Sequence, residues 1–296
     1  MEKNGIGILY RYGKGWITVV LLLALGSKSL LAANFDLVTP REKVTIVYAR
    51  GDYTLDSIAA SLLADDIWRV TGYRPRVIDD LDQALGNVIV IGSARSALMK
   101  RLGDPSGLRY LEGKWECYQL KVLEHPFQHA NKVLMITGSD SRGTAYGVFE
   151  LSRRIGVSPW YWWADARPRV KRQLSLSIDA ILSEPPSVKY RGIFINDEDW
   201  GLQPWAAKTL EPATGDIGPK TYAKVFELLL RLKANLIWPA MHPSTKAFYH
   251  YPENEKVAAD YQIVIGSSHA EPMLRNNVSE WDKSVRGDFN YITNRQ

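Results

Sequence analysis

The sequence predicts an α/β protein in two parts, and three observations carry that reading. Strand-like and helix-like patterns alternate from residue 43 to about 181. A stretch rich in Pro, Arg and Lys then interrupts them, and its doublet Pro185 and Pro186 cannot continue a helix or a central strand. After it come three strand and helix units in succession, the pattern of a parallel sheet with right-handed crossovers. The expected division is 1–33, a leader; 34–185, an α/β layer domain; and 186–296, a second α/β unit.

KVTIVYA is a short β-type run. TLDSIAASLLADDIWRVTG follows with Leu55, Ile58, Leu62 and Ile67 at helical spacing, Thr54 as expected N-cap and Gly72 as expected C-cap. NVIVIG is a buried strand, and WECYQLKVL and KVLMITG are expected to lie antiparallel across the polar loop EHPFQHAN. A second helix is expected from about Thr144 to Gly156. Its approach, GSDSRGTAYG, lacks the Lys and Ser/Thr of a phosphate loop, so a tight turn capped by Ser139 or Asp140 is the better reading. Past the proline doublet, KYRGIFI, ANLIWPAM and QIVIGSS are strands. GPKTYAKVFELLLRLKAN is a helix with Tyr222, Val225, Phe226, Leu229 and Leu232 on one face, and ENEKVAADYQ is a shorter one.

With 46% hydrophobic and 23% charged residues, the 296-residue chain can bury a real core and is not a disordered polymer. Residues 1–33 combine a basic start, the apolar run WITVVLLLALG and the small pair Ala32 and Ala33, the layout of a secretory signal peptide cleaved near Ala33. The alternative, a membrane anchor, needs roughly 20 apolar residues, and the run is shorter. Removing the segment takes away Lys3, Arg11, Lys14, Lys28 and Glu2, and lowers the formal charge from +5 to +2. The basic balance is therefore no argument for a nucleic-acid partner. Cys117 is the only cysteine, which excludes an internal disulfide and suits a plain buried thiol.

Each of the last three strands ends in a polar or aromatic cluster. The first delivers Asn196, Asp197, Glu198, Asp199 and Trp200; the second Trp238, Met241 and His242; the third Ser267, Ser268, His269 and Glu271, with Arg275 shortly after. In a (β/α)₈ barrel such ends point to one face and build the active site there. Crowded carboxylates suit glycoside hydrolysis, because like charges raise one pKa and prepare a proton donor. Each acid could equally cap the next segment or pair with a cation. Trp200, Trp205 and Trp238 suit stacking on a pyranose, and Trp160, Trp162 and Trp163 suit a domain seam. His242 and His269 could donate hydrogen bonds or carry protons, and Arg275 could hold a substrate carboxylate or form an ordinary salt bridge. No zinc motif occurs, and Asp197, Asp199 and Gly201 do not make an EF-hand.

The ordered series GSDSRGTAYGVFELSRRIGVSPWYWWAD, SVKYRGIFINDEDWGLQPWA, LKANLIWPAMH and GSSHAEPMLRNNVSEWD resembles glycoside hydrolase family 115, the xylan α-glucuronidases. The resemblance implies a secreted or periplasmic enzyme, free of the membrane after leader cleavage, that removes glucuronic acid or its 4-O-methyl form from glucuronoxylan with inversion. It implies no cofactor and no metal, and it allows a homodimer in the full-length form. The implied architecture is an N-terminal domain like the second domain of β-hexosaminidases, followed by a (β/α)₈ barrel. Carried over by motif, Asp197 and Glu198 are the catalytic candidates, and Trp238, His242, His269, Glu271 and Arg275 line the pocket; Asp199 and Trp200 join them from the same strand end. Only 110 residues follow Pro186, whereas a whole barrel takes about 250. The expectation is therefore three units of a truncated barrel and an incomplete, inactive fragment. The alternatives are a non-catalytic sugar-binding fragment and a hexosaminidase-like hydrolase.

Overall fold

The structure, a computed structural model, describes residues 33–127, 129–268 and 280–295. The expected leader lies outside the described residues. No helix among the described residues is long and apolar enough to cross a membrane.

The N-terminal layer is a six-stranded sheet in the order β3-β2-β4-β6-β5-β8. Its members are β2 (Thr45–Tyr48), β3 (Val77–Ile78), β4 (Gly86–Ser93), β5 (Tyr118–Glu124), β6 (Ala130–Gly138) and β8 (Ile181–Leu182). Strands β2, β3, β4 and β6 run parallel, while β5 lies antiparallel to β6 and to β8. The centre of β4 and β6 is buried on both faces, which explains why VIVI and VLMI read as continuous apolar runs. A separate antiparallel pair joins β1 (Ala33–Val38) to β7 (Leu174–Ile178).

Two helices cover one face. Helix α1 (Thr54–Thr71) ends at Gly72 with φ 77°, as expected, but its N-cap is Tyr53, without a side-chain bond, and not Thr54. Two short helices, α2 (Ala97–Leu102) and α3 (Pro105–Leu111), follow β4; the sequence reading did not anticipate them. Helix α4 (Ser141–Ile155) starts three residues earlier than expected because the Asp140 side chain accepts from the Gly143 amide and sets the first turn. Gly143 has no room for a side chain: a Cβ there would lie 2.2 Å from the Cys117 carbonyl oxygen. Cys117 is buried, and burial raises its thiol pKa, so it is the inert thiol expected.

The second layer is a three-stranded parallel sheet in the order β11-β10-β9, from β9 (Gly192–Phe194), β10 (Leu236–Trp238) and β11 (Val264–Ile265). Gly192 is required: a Cβ would lie 1.8 Å from the Leu236 carbonyl oxygen, in backbone that cannot yield. After β9 the chain makes a short helix, α5 (Leu202–Trp205), continued by a π-helical turn (Ala206–Leu210). Helix α6 (Pro219–Arg231) crosses to β10, and α7 (Pro252–Asp260) crosses to β11. On α6, Tyr222, Val225, Phe226 and Leu229 are buried as expected, whereas Leu232 lies past its end and is exposed. Glu211 caps α6 from seven residues upstream, accepting the Gly218, Lys220 and Thr221 amides, each at 2.9 Å.

One hydrophobic cluster runs through both layers, from Phe35 and Ile46 to Phe226, Ile237 and Phe248. Two ionic hubs reinforce the junction. Arg231 forks onto Asp66 of α1 at 2.8 and 3.1 Å and reaches Glu227 at 2.9 Å, all three fully or nearly buried. Glu116 holds Arg142, Asn235 and Arg191, which ties α4 to β10 and β9. Trp162 and Trp163 sit in the same junction, edge-on to one another at 4.8 Å, and both pack on Trp205 of α5.

Candidate functional site

The site forms where β9 and β10 end. Ile195 extends the β9 pairing by one bond to the Trp238 carbonyl, and the chain then turns away through exposed Asn196 and Asp197. Asp197 adopts φ 67°, a left-handed conformation that Asp tolerates better than most residues. That turn directs the next three side chains differently. Glu198 is 2% exposed. Its Oε1 accepts the backbone amides of Met241 and His242, so a carboxylate from the first strand end holds the loop after the second. Its Oε2 has no hydrogen-bond partner and lies 3.8 Å from His242 Nδ1.

Asp199 turns outward and meets the same histidine: His242 Nδ1 lies 2.8 Å from Asp199 Oδ1. With a carboxylate on Nδ1, that nitrogen carries the proton, and Nε2 is left for a ligand. The hydrogen bond to Asp199 raises the His242 pKa above its ordinary value; burial opposes it, and the negative charges of Glu198, Asp199 and Asp197 add to the rise. Protonated His242 is an imidazolium at a rim of carboxylates.

The aromatic part is open. Trp200 is 85% exposed, and Trp238 is 40% exposed with its ring edge-on to Phe194 at 5.5 Å. Gly266, just past β11, faces the Trp238 indole, where a Cβ would come within 2.5 Å of Nε1. Ser268 Oγ reaches Met241 Sδ at 2.7 Å, so the third strand end joins the loop after the second.

The structure thus brings Asp197, Glu198, Asp199, Trp200, Trp238 and His242 to one end of the parallel sheet. His269, Glu271 and Arg275 lie outside the described residues. Trp205 belongs instead to the junction with Trp162 and Trp163, and its ring is half-buried there. Among the described residues no group of three or more His, Cys, Asp or Glu side chains could hold a metal ion. Sequence reasoning missed Asp216, a buried carboxylate that accepts the Lys246 amide at 2.9 Å and the Tyr251 hydroxyl at 3.0 Å, and so shapes the loop beyond His242. No local pattern marks it, because its partners lie 30 and 35 residues away.

Residues 183–296 match glycosyl hydrolase family 115. Among solved structures the chain is similar to a family GH115 4-O-methyl-α-glucuronidase with specificity for decorated arabinogalactans, at 38% identity and a TM-score of 0.73, over 88% of this chain and 33% of that one. It is also similar to a GH138 enzyme targeting pectin rhamnogalacturonan II, at 14% identity and a TM-score of 0.40 over 75% of this chain and 24% of that one. A third similarity is to the N-acetyl-β-hexosaminidase of Streptomyces plicatus, at 13% and 0.45 over 80% and 42%. No curated protein sequence matches the chain. The chain spans a third of the length of the GH115 structure it matches.

Proposed function

Because its residues 183–296 place this chain in glycosyl hydrolase family 115, we propose that the strand-end mouth is the glucuronyl-binding part of a glycoside hydrolase that removes (4-O-methyl-)glucuronic acid from glucuronoxylan with inversion. One observation carries the proposal: an imidazole held by Asp199 and an indole half-open to solvent stand at one strand end in the family-matching segment. An imidazolium suits the carboxylate of a uronic acid, and an open indole face suits its pyranose ring. Asp197 is the freer of the two catalytic candidates, since it is exposed while Glu198 is buried and holds the Met241 and His242 amides. Glu198 acts by fixing the loop that carries His242. Around this mouth, residues 186–296 form the first three units of a (β/α)₈ barrel, and residues 34–185 a domain like the second domain of β-hexosaminidases. His269, Glu271 and Arg275 are further candidates for holding the sugar by family motif, and the protein works secreted or in the periplasm, without cofactor, on a polysaccharide partner.

Inversion needs two carboxyl groups about 6.5–9.5 Å apart on opposite sides of the sugar. Asp197, Glu198 and Asp199 come from one strand end and supply one side; the second reading is that this strand end binds the acidic sugar without cleaving it. Decorated arabinogalactan is the rival substrate, by similarity to the GH115 structure. The test is to incubate the chain with glucuronoxylan and with decorated arabinogalactan, and to follow released uronic acid and its anomeric form. Release of the β-anomer from glucuronoxylan supports the hydrolase reading. Saturable binding with no release supports the second, and neither binding nor release on either polymer overturns both.

A further inference from the structure

A second cleft lies far along the chain from the mouth, at the other sheet. It measures 550 Å³ and opens at the carboxyl ends of β4 and β6, between Ala94 and Ser139, with α2, α3 and the turn after α3 as its walls. In open α/β sheets this end of the parallel strands is where ligands bind, and the volume falls within the usual range of small-ligand clefts, about 300–1,000 Å³.

Its charge is one-sided. Arg95, Lys100, Arg109 and Lys114 line it, against a single acid, Glu112. Lys114 has a distant partner in Glu184, 3.6 Å away and largely exposed. Arg95, Lys100 and Arg109 make no ion pair among the described residues, whereas Arg69, Arg74, Arg101, Arg142, Arg153, Arg154, Arg191 and Arg231 all do. Three cations that make no ion pair around one cleft repel one another, and an anion placed among them relieves that repulsion. Two guanidinium forks match the paired oxygens of carboxylates. The Ser139 amide donates to the Cys117 carbonyl and its hydroxyl oxygen accepts the Cys117 amide, so the charged contacts for a ligand come from the four cations.

We propose that this cleft binds an acidic saccharide carrying more than one carboxylate, a short oligouronide, as an attachment site separate from the mouth. Four cations spread over several elements fit a ligand whose charges are spaced along a chain better than a single compact anion. The choice of a uronide rests on the proposed function; the anion site itself does not.

The test is titration of the whole chain with trigalacturonate, with inorganic phosphate and with neutral xylotriose at low salt, by calorimetry. Wild-type protein is expected to bind the trigalacturonate, more weakly as salt rises. The double variant Arg95→Ala/Arg109→Ala should lose affinity about tenfold or more, from two charge-assisted hydrogen bonds removed. Arg74→Ala, an exposed cation outside the cleft and the mouth, should leave this binding unchanged. Equal affinity in the double variant overturns the proposal, as does phosphate binding as tightly as the uronide or no uronide binding at all. Circular dichroism of the double variant separates lost contacts from lost folding, and Lys100→Ala, on an exposed helix face, gives an independent decrease. If the mouth binds and cleaves nothing while the cleft still binds trigalacturonate in an arginine-dependent way, the proposed function fails and the anion site stands.

Discussion

Asp199 and His242 meet at 2.8 Å on a solvent-facing rim, and the histidine's titration reports that pairing. Its pKa is raised, so the pairing stabilises the fold fully below the ordinary histidine range and ceases to do so as pH rises through the raised value. We expect the His242 ring resonances to titrate above 6.5, and Asp199→Asn to move the midpoint down; an unmoved midpoint would show that the carboxylate is not the cause. Asp56 is the opposite kind of residue. It is 0% exposed, neither of its carboxylate oxygens has a hydrogen-bond partner, and burial, with Asp52 adding to it, pushes its pKa up to about 8. The stability that goes with its protonated form is fully present below the unfolded value near 3.8 and is lost as pH rises towards 8. Asp56→Asn should flatten that decline and exceed wild type above pH 8 by about 1 kcal/mol or more, measured by urea unfolding across pH. A decline of unchanged slope would contradict it. At this scale the sequence shows that Asp197, Glu198 and Asp199 are adjacent, but not which of them turns inward. That depends on the left-handed turn at Asp197 and on amides more than 40 residues away.

Among elements, α1 and α6 depend on one another through Arg231. Its guanidinium serves Asp66 and Glu227 and lies over the rings of Phe149 and Tyr161, at 4.6 and 4.8 Å. Arg231→Ala leaves Asp66 buried without its strongest partner, and should cost about 3–5 kcal/mol in denaturant unfolding. A loss below about 1 kcal/mol would mean that the hub relaxes without consequence. Strand β9 is equally constrained, and Gly192→Ala should separate it from β10, with loss of the protein's resistance to limited proteolysis near Ile193. Unchanged proteolysis would contradict the close approach. The legible elements are those long enough to show a period: α1, α4, α6 and the apolar β4 and β6. The sequence reading names no strand at β7, whose partner β1 lies some 140 residues away, and pairing at that distance leaves no local signature. The short helices α2 and α3 have at most two turns, too few for a periodic stripe.

For the whole molecule, a single hydrophobic cluster and two ionic hubs join the N-terminal sheet to the sheet that bears the mouth. The α/β class, the order of the three last strands and the meeting of the β9 and β10 ends were readable from the sequence, because alternation and strand-end chemistry are local. The junction was readable only in part. Trp162 and Trp163 were expected there, but Asp66, Arg231 and Glu116 were not, since each finds partners in distant elements. The central claim is that the mouth between β9, β10 and β11 recognises an acidic sugar, and the most direct measurement is two-dimensional NMR with a glucuronic-acid-substituted xylo-oligosaccharide and its unsubstituted counterpart. The account predicts that the His242 ring and the Trp200 and Trp238 indole resonances shift together, saturably, with the substituted ligand alone. Equal shifts with both ligands, or none at those three residues, would contradict it.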